Sequence, residues 1–396
     1  MDLKIAALAL ACAFIGMSGA RAGEPMEIRI GYLHAAPDRN RLSLMDVPAE
    51  NDGLAGAQLA IEDNNTTGRF VGQHYAIDGK TVRAGDDIAA DVGAMADGGA
   101  VMIVADLDAD ALLKAADAAK ARGLTVLNVG AADDRLREQD CRANVLHVSP
   151  TRSMLADALA QYLVWKKWPK WFLVVGSHAR DQLWADALKR AATRFGAKIV
   201  GEREFKDTGG ARRTDSGIVE IQRQMPLLTQ GAPDYDVLVA ADESEVFAGY
   251  LPYRTWDARP VAGSAGLVPT TWDAAFDQWG AIQLQNRFGK LFHRFMSAKD
   301  MQAWTAARMV GEAATRTGAA ESAKLAAFLR SRDFSVAAFK GQKLTLRDWN
   351  GQLRQPILLF DGHNTVSVSP QEGYLHQISE LDTLGVDRPE TKCKFD

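Results

Sequence analysis

The chain has 396 residues, with 46 Lys and Arg against 50 Asp and Glu, so its formal net charge is −4. This near-balance argues against a nucleic-acid-binding protein, because such proteins present a strongly basic face. The length is sufficient for two α/β lobes, each with its own hydrophobic core.

Residues 1–22 have the pattern of a secretory signal peptide. A lysine precedes an apolar run from Ile5 to Met17, and an A-x-A cleavage site ends at Ala22. The run is too short to cross a bilayer as a helix. Cys12 raises the alternative of a lipoprotein, but the residue three positions before it is Ala rather than Leu. We therefore expect cleavage after Ala22 and a periplasmic mature protein.

Two cysteines remain after that cleavage, Cys141 and Cys393. In an oxidising periplasm an isolated pair favours a disulfide, which would attach the C-terminal tail to the middle of the chain. Two free thiols are the alternative, because a pair of cysteines in a sequence carries no information about geometry.

The first part of the mature chain alternates predicted strands with predicted helices. The strands are Glu27–Leu33, Ala100–Ala105 and Leu124–Val129, and the helices cover about 51–65, 88–97 and 108–122. Between the first helix and the second, the segment NNTTGRF, residues 64–70, predicts a turn. Strands and helices at this spacing are typical of βαβ units in a parallel sheet.

The stretch 146–184 indicates where one α/β unit ends and the next begins. A helix starts after Pro150 and stops before Pro169, and the buried strand Trp171–Val175 follows it. Strands near 198–200, 237–241 and 260–262 then alternate with helices, before a helical block at 273–330 and short closing strands. This order indicates two lobes between which the chain crosses more than once.

Catalytic motifs are nearly absent from the sequence. No P-loop, G-x-G-x-x-G, H-E-x-x-H or C-x-x-C occurs, and the seven histidines are not spaced for a metal on one helix face. The segment AGSAG, residues 262–266, is close to a nucleophile elbow, but Pro269 prevents the helix that such an elbow needs. We therefore predict no catalytic residue, no metal site and no enzymatic activity.

Arginine and tryptophan are the notable side chains in the predicted loops. In parallel α/β sheets, ligands bind beyond the carboxyl ends of the strands. Arginine pairs with carboxylates through two hydrogen bonds, and both Arg and Trp stack on flat rings. A single arginine is more often a solvated surface charge, so the hypothesis of a pocket for a planar polyanion depends on their shared position. The candidate ligand-binding residues are Arg39, Arg41, Asp106, Ala131, Arg135, Arg180, Asp242, Trp272 and Trp304.

Over nearly all of its mature length the sequence resembles the type I periplasmic binding proteins of ATP-binding-cassette (ABC) importers, the leucine/isoleucine/valine-binding group. It is closer still to a subfamily associated with quinoprotein alcohol dehydrogenase systems. That resemblance implies a secreted solute-binding protein linked to pyrroloquinoline quinone (PQQ), a flat quinone with three carboxylates. The matching stretches are GAQLAIEDNNTTGRF, SPTRSMLADALAQYLVWKKW, GSHARDQLWADAL, WGAIQLQNRF, LRDWNGQLRQPILL, SVSPQEGYLHQ and LDTLGVDRPETKC.

The resemblance implies a fold of two doubly wound α/β lobes joined by three crossings, with the ligand in the cleft between them. Lobe one comprises about 24–148 and 266–333, and lobe two about 149–265 and 334–396. PQQ is expected as bound cargo rather than as a catalytic cofactor. The expected partner of this monomer is the membrane permease of an ABC importer or a periplasmic quinoprotein dehydrogenase.

The sequence departs from the amino-acid binders at the ligand site. Those proteins use small hydroxyl residues at two first-lobe strand ends, whereas the segments 104–110 and 128–137 contain no Ser or Thr. The aromatic residue that caps their ligand from lobe two aligns near Arg180, which favours an anion. These differences argue against an amino acid as the ligand, but a receptor for a branched-chain amino acid or a small aromatic acid is still one alternative. A periplasmic chaperone that loads PQQ into a dehydrogenase is the other.

Overall fold

The computed structural model describes residues 25–36, 48–209 and 215–395, without the side chains of residues 215–219. The predicted signal peptide and the segment that contains Arg39 and Arg41 lie outside the described residues. Among the residues that are described, no helix is long and apolar enough to cross a membrane.

The first lobe is built on a five-stranded parallel sheet with the strand order β2-β1-β3-β4-β5. The order reverses between β1 and β3, so the crevice for a ligand is expected at their carboxyl ends. The elements up to its last strand are β1 (Met26–Ala35), α1 (Leu54–Val71), β2 (Gln73–Val82), α2 (Ile88–Asp97), β3 (Ala100–Asp106), α3 (Ala109–Ala121), β4 (Thr125–Asn128) and β5 (Val145–His147).

The second lobe has a four-stranded parallel sheet with the order β7-β6-β8-β9, whose reversal lies between β6 and β8. Both lobes are therefore doubly wound α/β units, as predicted. The elements of this part are α4 (Arg152–Trp165), β6 (Lys170–Gly176), α5 (Ala179–Phe195), β7 (Lys198–Phe205), α6 (Asp215–Thr229), β8 (Val237–Ala241), α7 (Leu251–Arg254) and β9 (Val261–Gly263).

The remaining elements form an antiparallel sheet β10-β13-β14, a small hairpin β11-β12 and three helices. Helix α9 packs along α1, which returns this block to the first lobe. The bounds are β10 (Val268–Thr270), α8 (Ala281–Phe292), α9 (Ala298–Thr317), α10 (Ser322–Leu329), β11 (Val336–Ala337), β12 (Lys343–Leu344), β13 (Ile357–Phe360) and β14 (Thr365–Ser369).

The turn predicted at residues 64–70 is wrong, because these residues form the last part of α1. Asn64 is buried, and its side-chain amide donates to the carbonyl of Ala307 at 3.0 Å. Asn65 donates to the carbonyl of Tyr75 at 2.9 Å and accepts from the same residue's amide. Tertiary hydrogen bonds thus override the turn preference of the two asparagines. The helix ends instead at Gly72, which has a left-handed φ of 67°.

The hydrophobic clusters show into which lobe the segments after residue 333 pack. Phe334, Val336, Leu344 and Leu353 pack into the first-lobe cluster, although the predicted division assigns them to lobe two. Leu359 is the residue of this region that packs into the second-lobe cluster. Leu358 still packs into the first-lobe cluster, so the chain changes lobe over residues 353–359, within the third crossing. The sequence pattern does not mark this point, because the short strands on both sides of it are equally apolar.

The side chain of Lys340 is buried beside this third crossing. Its ammonium donates to the side chain of Gln355 at 3.0 Å and lies 3.4 Å from the carbonyl of Pro356. No carboxylate among the described residues forms an ion pair with it. Burial alone therefore lowers the pKa of Lys340 to about 7.

The low pKa of Lys340 predicts a pH-dependent stability. Between about pH 7 and the unfolded-lysine pKa of about 10.4, the unfolded chain binds a proton that the folded chain lacks. The contribution of this group to the free energy of unfolding therefore rises with pH in that window. Lys340→Met should exceed wild type in stability near pH 7, and urea unfolding should show the difference shrinking towards pH 10. Exposed Lys343→Met is the control, and a Lys340→Met difference that stays constant with pH would contradict the assignment.

The C-terminal tail contacts both lobes. The amide of Gly385 donates to Asp157 of α4, in the second lobe, at 2.8 Å. A few residues later, the amide of Lys392 donates to Glu138 of the first lobe at 2.7 Å. The tail is therefore a further connection across the hinge, in addition to the three crossings.

The predicted disulfide between Cys141 and Cys393 is present and closes this connection covalently, over a sequence separation of 252 residues. Cys393→Ser should lower the free energy of unfolding by about 2–5 kcal/mol, because the unfolded chain gains the freedom of a very long loop. Urea unfolding measures the change. Under reducing conditions wild type should fall to the stability of the variant. Two reactive thiols in unreduced, denatured wild type would refute the bond.

Candidate ligand-binding cleft

Arg152 contacts both lobes where the chain first crosses between them. Its Nε donates to Glu243, which follows β8 of the second lobe, at 2.7 Å. Its Nη1 lies 3.1 Å from a carboxylate oxygen of Asp133, in the loop after β4 of the first lobe. The loops at the carboxyl ends of the two parallel sheets therefore meet around one guanidinium, and this contact locates the cleft.

Arg152 stands in the first turn of α4, where a positive charge opposes the helix dipole. Burial also disfavours its charge, but the ion pairs with Glu243 and Asp133 outweigh it and raise the pKa of Arg152. The backbone amide of Arg152 donates to the carbonyl of Ala132 at 2.9 Å. Side chain and backbone together fix the start of α4 against the loop after β4.

The first-lobe edge of the cleft is formed by the ends of β1 and β3, where His34 and Asp106 are register partners. Asp106 is buried, and its carboxylate forms an ion pair with Lys299 of α9 at 3.2 Å. Burial lowers the pKa of His34 although Asp106 opposes that shift. The buried hydroxyl of Tyr32 has no hydrogen-bond partner among the described residues. Asp106 thus reaches the predicted edge, but its charge is already compensated.

The loop after β4 is held by Asn128 rather than open to a ligand. The side chain of Asn128 accepts from the amides of Gly130 and Ala131, at 3.1 and 2.9 Å, and donates to the carbonyl of Ala131 at 2.8 Å. A Cβ on Gly130 would stand 2.6 Å from Asp106, so only glycine permits this approach. Ala131 lies at the predicted edge, but its backbone polar groups are used within the loop.

The structure does not place Arg135 as a free ligand-binding cation. Its guanidinium pairs with Asp140 at 2.6 Å and also with Asp110, both in the first lobe. Hydrogen bonding to Asp140, with a smaller effect of Asp110, raises the pKa of Arg135. A side chain held by two carboxylates has little capacity to bind a third, so these contacts favour a structural role for Arg135 over the predicted ligand contact.

The second-lobe edge is formed by the loops after β6 and β8, which carry Arg180 and Asp242. Asp242 is buried, and its carboxylate accepts from the amides of Val246, Phe247 and Ala248 at 2.7–2.9 Å. These hydrogen bonds fix the loop after β8, and they favour this structural role for Asp242 over the predicted ligand contact. Arg180 is exposed in the first turn of α5 and forms no ion pair with a described residue. It remains the candidate of this edge.

Residues 44–215 match a family model described as periplasmic binding protein. The match covers less than half of the chain, and no curated protein matches the sequence.

Solved structures resemble the whole architecture. A branched-chain amino acid ABC transporter periplasmic ligand-binding protein from Burkholderia xenovorans shares 18% identity, covers 87% of this chain and 92% of its own, and has a TM-score of 0.66. A periplasmic binding protein from Burkholderia mallei shares 16% identity, covers 93% of this chain and 98% of its own, and has a TM-score of 0.65. An ABC transporter solute-binding protein from R. palustris, in complex with benzoate, shares 13% identity, covers 93% of this chain and 100% of its own, and has a TM-score of 0.63.

The chain has the periplasmic binding protein fold. The matched family and the three similar structures are all described as binding proteins. Among the described residues of this binding-protein fold, no group of His, Cys, Asp and Glu is arranged to hold a metal ion.

Both tryptophans predicted to face the ligand lie in the hydrophobic core of the first lobe of this binding-protein fold. Trp272 is 2% exposed, and its ring packs edge-on against Phe276. Trp304 is 3% exposed, and its indole nitrogen donates to Asp63 at 3.0 Å. This burial favours a core role for both side chains over the predicted stacking on a cleft ligand. Helical spacing alone does not distinguish an inward face from a cleft face.

Sequence reasoning missed the cation at the centre of the cleft of the binding-protein fold. Arg152 follows the N-cap residue Thr151, a position where lysine and arginine are unfavourable unless acids hold them. An arginine at this helix position was therefore the one feature of the sequence that could have indicated acidic partners for Arg152. Its partners Asp133 and Glu243 could not have been assigned, because they follow strands of different lobes and lie 19 and 91 residues away in sequence.

Substitution of Arg152 should therefore affect stability, whereas substitution of Arg180 should not. Arg152→Leu leaves two carboxylates facing each other without their shared cation, and we expect a loss of about 1–3 kcal/mol in the free energy of unfolding. The matched variant Arg180→Leu removes an exposed arginine that has no ion pair with a described residue, and it should stay within about 0.5 kcal/mol of wild type. Urea unfolding at one pH compares the three proteins. Equal stability of the two variants would contradict the structural role of Arg152.

Proposed function

We propose that this protein is a periplasmic solute-binding protein that captures a small ligand between its lobes and presents it to an ABC-type permease. The observation that carries the proposal is the contact of Arg152 with both Asp133 and Glu243. This contact brings together the carboxyl edges of two doubly wound sheets, the edges where such sheets bind ligands. Closure of two lobes around a hinge then buries the ligand.

The chemistry of the cleft supports an anion rather than a zwitterionic amino acid. The amides of Gly130 and Ala131 are already bonded to Asn128, and the loops after β3 and β4 contain no hydroxyl residue up to Arg137. Arg180, on the opposite edge, presents a positive charge without a described acidic partner. An exposed guanidinium binds a carboxylate through two parallel hydrogen bonds.

We propose PQQ as the ligand, carried as cargo and not used for catalysis. The support is the resemblance of long stretches of this sequence to the subfamily associated with quinoprotein dehydrogenases, together with the position of Arg180. A flat molecule with three carboxylates requires several cations. The sequence provides two more, Arg39 and Arg41, shortly after β1, outside the described residues.

A second candidate is a receptor for a branched-chain amino acid or a small aromatic acid. It is favoured by the similar structures, since one is a branched-chain amino acid ABC transporter periplasmic ligand-binding protein and another is in complex with benzoate. Delivery of PQQ to a dehydrogenase instead of a permease is a variant of the first proposal. Pull-down of a permease rather than a dehydrogenase separates the two.

The proposal predicts that Arg180→Ala weakens PQQ binding by about 1.5–3 kcal/mol, or roughly tenfold to 150-fold in Kd, because a charge-assisted hydrogen bond is lost. Isothermal titration calorimetry measures PQQ, leucine and benzoate in parallel. Arg135→Ala is the matched control, since its guanidinium is held by Asp110 and Asp140, and it should keep the affinity of wild type. Binding of leucine or benzoate without PQQ binding would replace PQQ by the second candidate. Equal PQQ affinity of Arg180→Ala and wild type would remove Arg180 from the site.

A further inference from the structure

A separate cavity of about 560 Å³ opens on the side of the first lobe. This volume is within the range of pockets that hold small organic ligands, about 300–1,000 Å³. It is lined by α1, α9, the segment before α8 and the hairpin β11-β12, and its residues are Asp63, Trp279, Trp304, Arg308 and 337–343.

This side cavity is distinct from the cleft. Asp300, in the first turn of α9, accepts from the amide of Gly53 at 2.9 Å, at the end of α1 that adjoins the cleft. Trp304 and Arg308 follow Asp300 by one and two turns, so they lie roughly 6 and 12 Å further along the helix. A ligand in the side cavity would therefore contact none of the cleft residues Arg152, Arg180 and Glu243.

Three aromatic rings form the walls of the side cavity. Trp304 and Phe339 have ring centroids 5.5 Å apart, and the indole of Trp279 is 53% exposed. Tryptophan side chains are usually largely buried, so a ligand that covers the exposed indole of Trp279 would gain favourable contact area. Trp304, a core residue of the first lobe, thus presents one part of its ring to this cavity.

The backbone around these rings is held in an unusual conformation. Trp279 and Phe339 have φ values of 50° and 53°, a region that bulky residues rarely adopt. Gly341 has a φ of 74°, and a Cβ there would stand 2.5 Å from the Trp279 ring, so only glycine lets the hairpin lie under the indole. Strained backbone at aromatic residues is concentrated at sites that position a ligand.

The charges of the side cavity favour an anion. The one carboxylate of its lining, Asp63, is neutralised by an ion pair with Arg287 and also accepts from Trp304. Arg308 donates to the amide oxygen of Asn64, a neutral partner, and no described acid forms an ion pair with it. Lys343 is exposed in the hairpin and likewise forms no ion pair with a described acid. Two cations, Arg308 and Lys343, thus lie beside three rings without an ion pair to any acid that the structure describes.

We propose that the side cavity binds a flat aromatic carboxylate, with its ring between Trp279 and Phe339 and its carboxylate on Arg308. Stacking on an indole and a charge-assisted bond to a guanidinium reinforce each other in one ligand. Lys340 also belongs to the lining of the side cavity, but its ammonium donates to Gln355 at 3.0 Å, at the third crossing, and we do not assign it to the anion site.

The test uses the full mature chain labelled with 5-fluorotryptophan, which gives nine fluorine signals, one for each tryptophan. The probe is 2-naphthoate, and uncharged 2-naphthamide is the matched ligand. Titration with 2-naphthoate should shift the signals of Trp279 and Trp304 together, while those of Trp165 and Trp256 stay in place. Arg308→Gln keeps a partner for Asn64 and should raise the Kd read from these signals about tenfold or more, and 2-naphthamide should bind similarly weakly.

Trp279→Gly removes the indole at a φ that glycine tolerates, so it should weaken the Trp304 response without unfolding the protein. Lys343→Gln is a second charge variant on an exposed position and should weaken binding in the same direction. Arg180→Ala should leave the Kd unchanged, which makes the result independent of the proposed function of the cleft. Unmoved Trp279 and Trp304 signals would overturn the proposal. It would also be overturned if Arg308→Gln bound like wild type, or if the amide bound as tightly as the acid.

Discussion

The ion pairs of Arg152 are the interaction on which the arrangement of the two lobes depends. One guanidinium joins the loop after β4 in the first lobe to the loop after β8 in the second. Arg152 is the first residue of α4, the helix with which the chain enters the second lobe. Because breaking a buried ion pair leaves uncompensated charge, the carboxyl edges of the sheets are favoured in positions where they face each other.

The hinge next to this contact is a hydrogen-bonded unit rather than three independent strands of chain. Buried Arg137 donates to Gln352 at 2.9 Å, and Gln352 donates in turn to the carbonyl of Ser149 at 3.1 Å. Gln355 donates to the carbonyl of Val148 at 2.6 Å. The first and third crossings are therefore bonded side by side, and a fully paired polar network of this kind specifies one geometry. The tail, closed by the disulfide between Cys141 and Cys393, adds a further covalent connection across the hinge.

The elements that could be predicted from the sequence are those whose pattern is local. The alternation of buried strands and helices indicated both parallel sheets, and Pro169 marked the end of α4. β2 was missed because half of this edge strand is exposed and lacks an apolar alternation. The third crossing was placed too early, since which lobe a short apolar strand joins is decided by packing. In the cleft, the ends of the predicted strands were sufficient to place four residues at the edges of the sheets: Asp106, Ala131, Arg180 and Asp242. The ion-pair partner of Asp106, Lys299, could not be predicted because it is distant in sequence.

Those hidden partners change what the cleft offers a ligand. Among the described edge residues, Lys299 and Arg152 are already bonded to acids, and only Arg180 carries a charge without an acidic partner. An anion that approaches Arg152 would therefore replace Glu243 or Asp133 as acceptor instead of adding a bond, and such an exchange gives little net free energy. Under the proposed function, an anionic ligand would gain a new charge-assisted bond at Arg180 among the described residues of the cleft. Arg180 and Arg152 thus have different roles under the proposed function. Arg180 would hold an anionic ligand, and the ion pairs of Arg152 set the distance between the loops after β4 and β8.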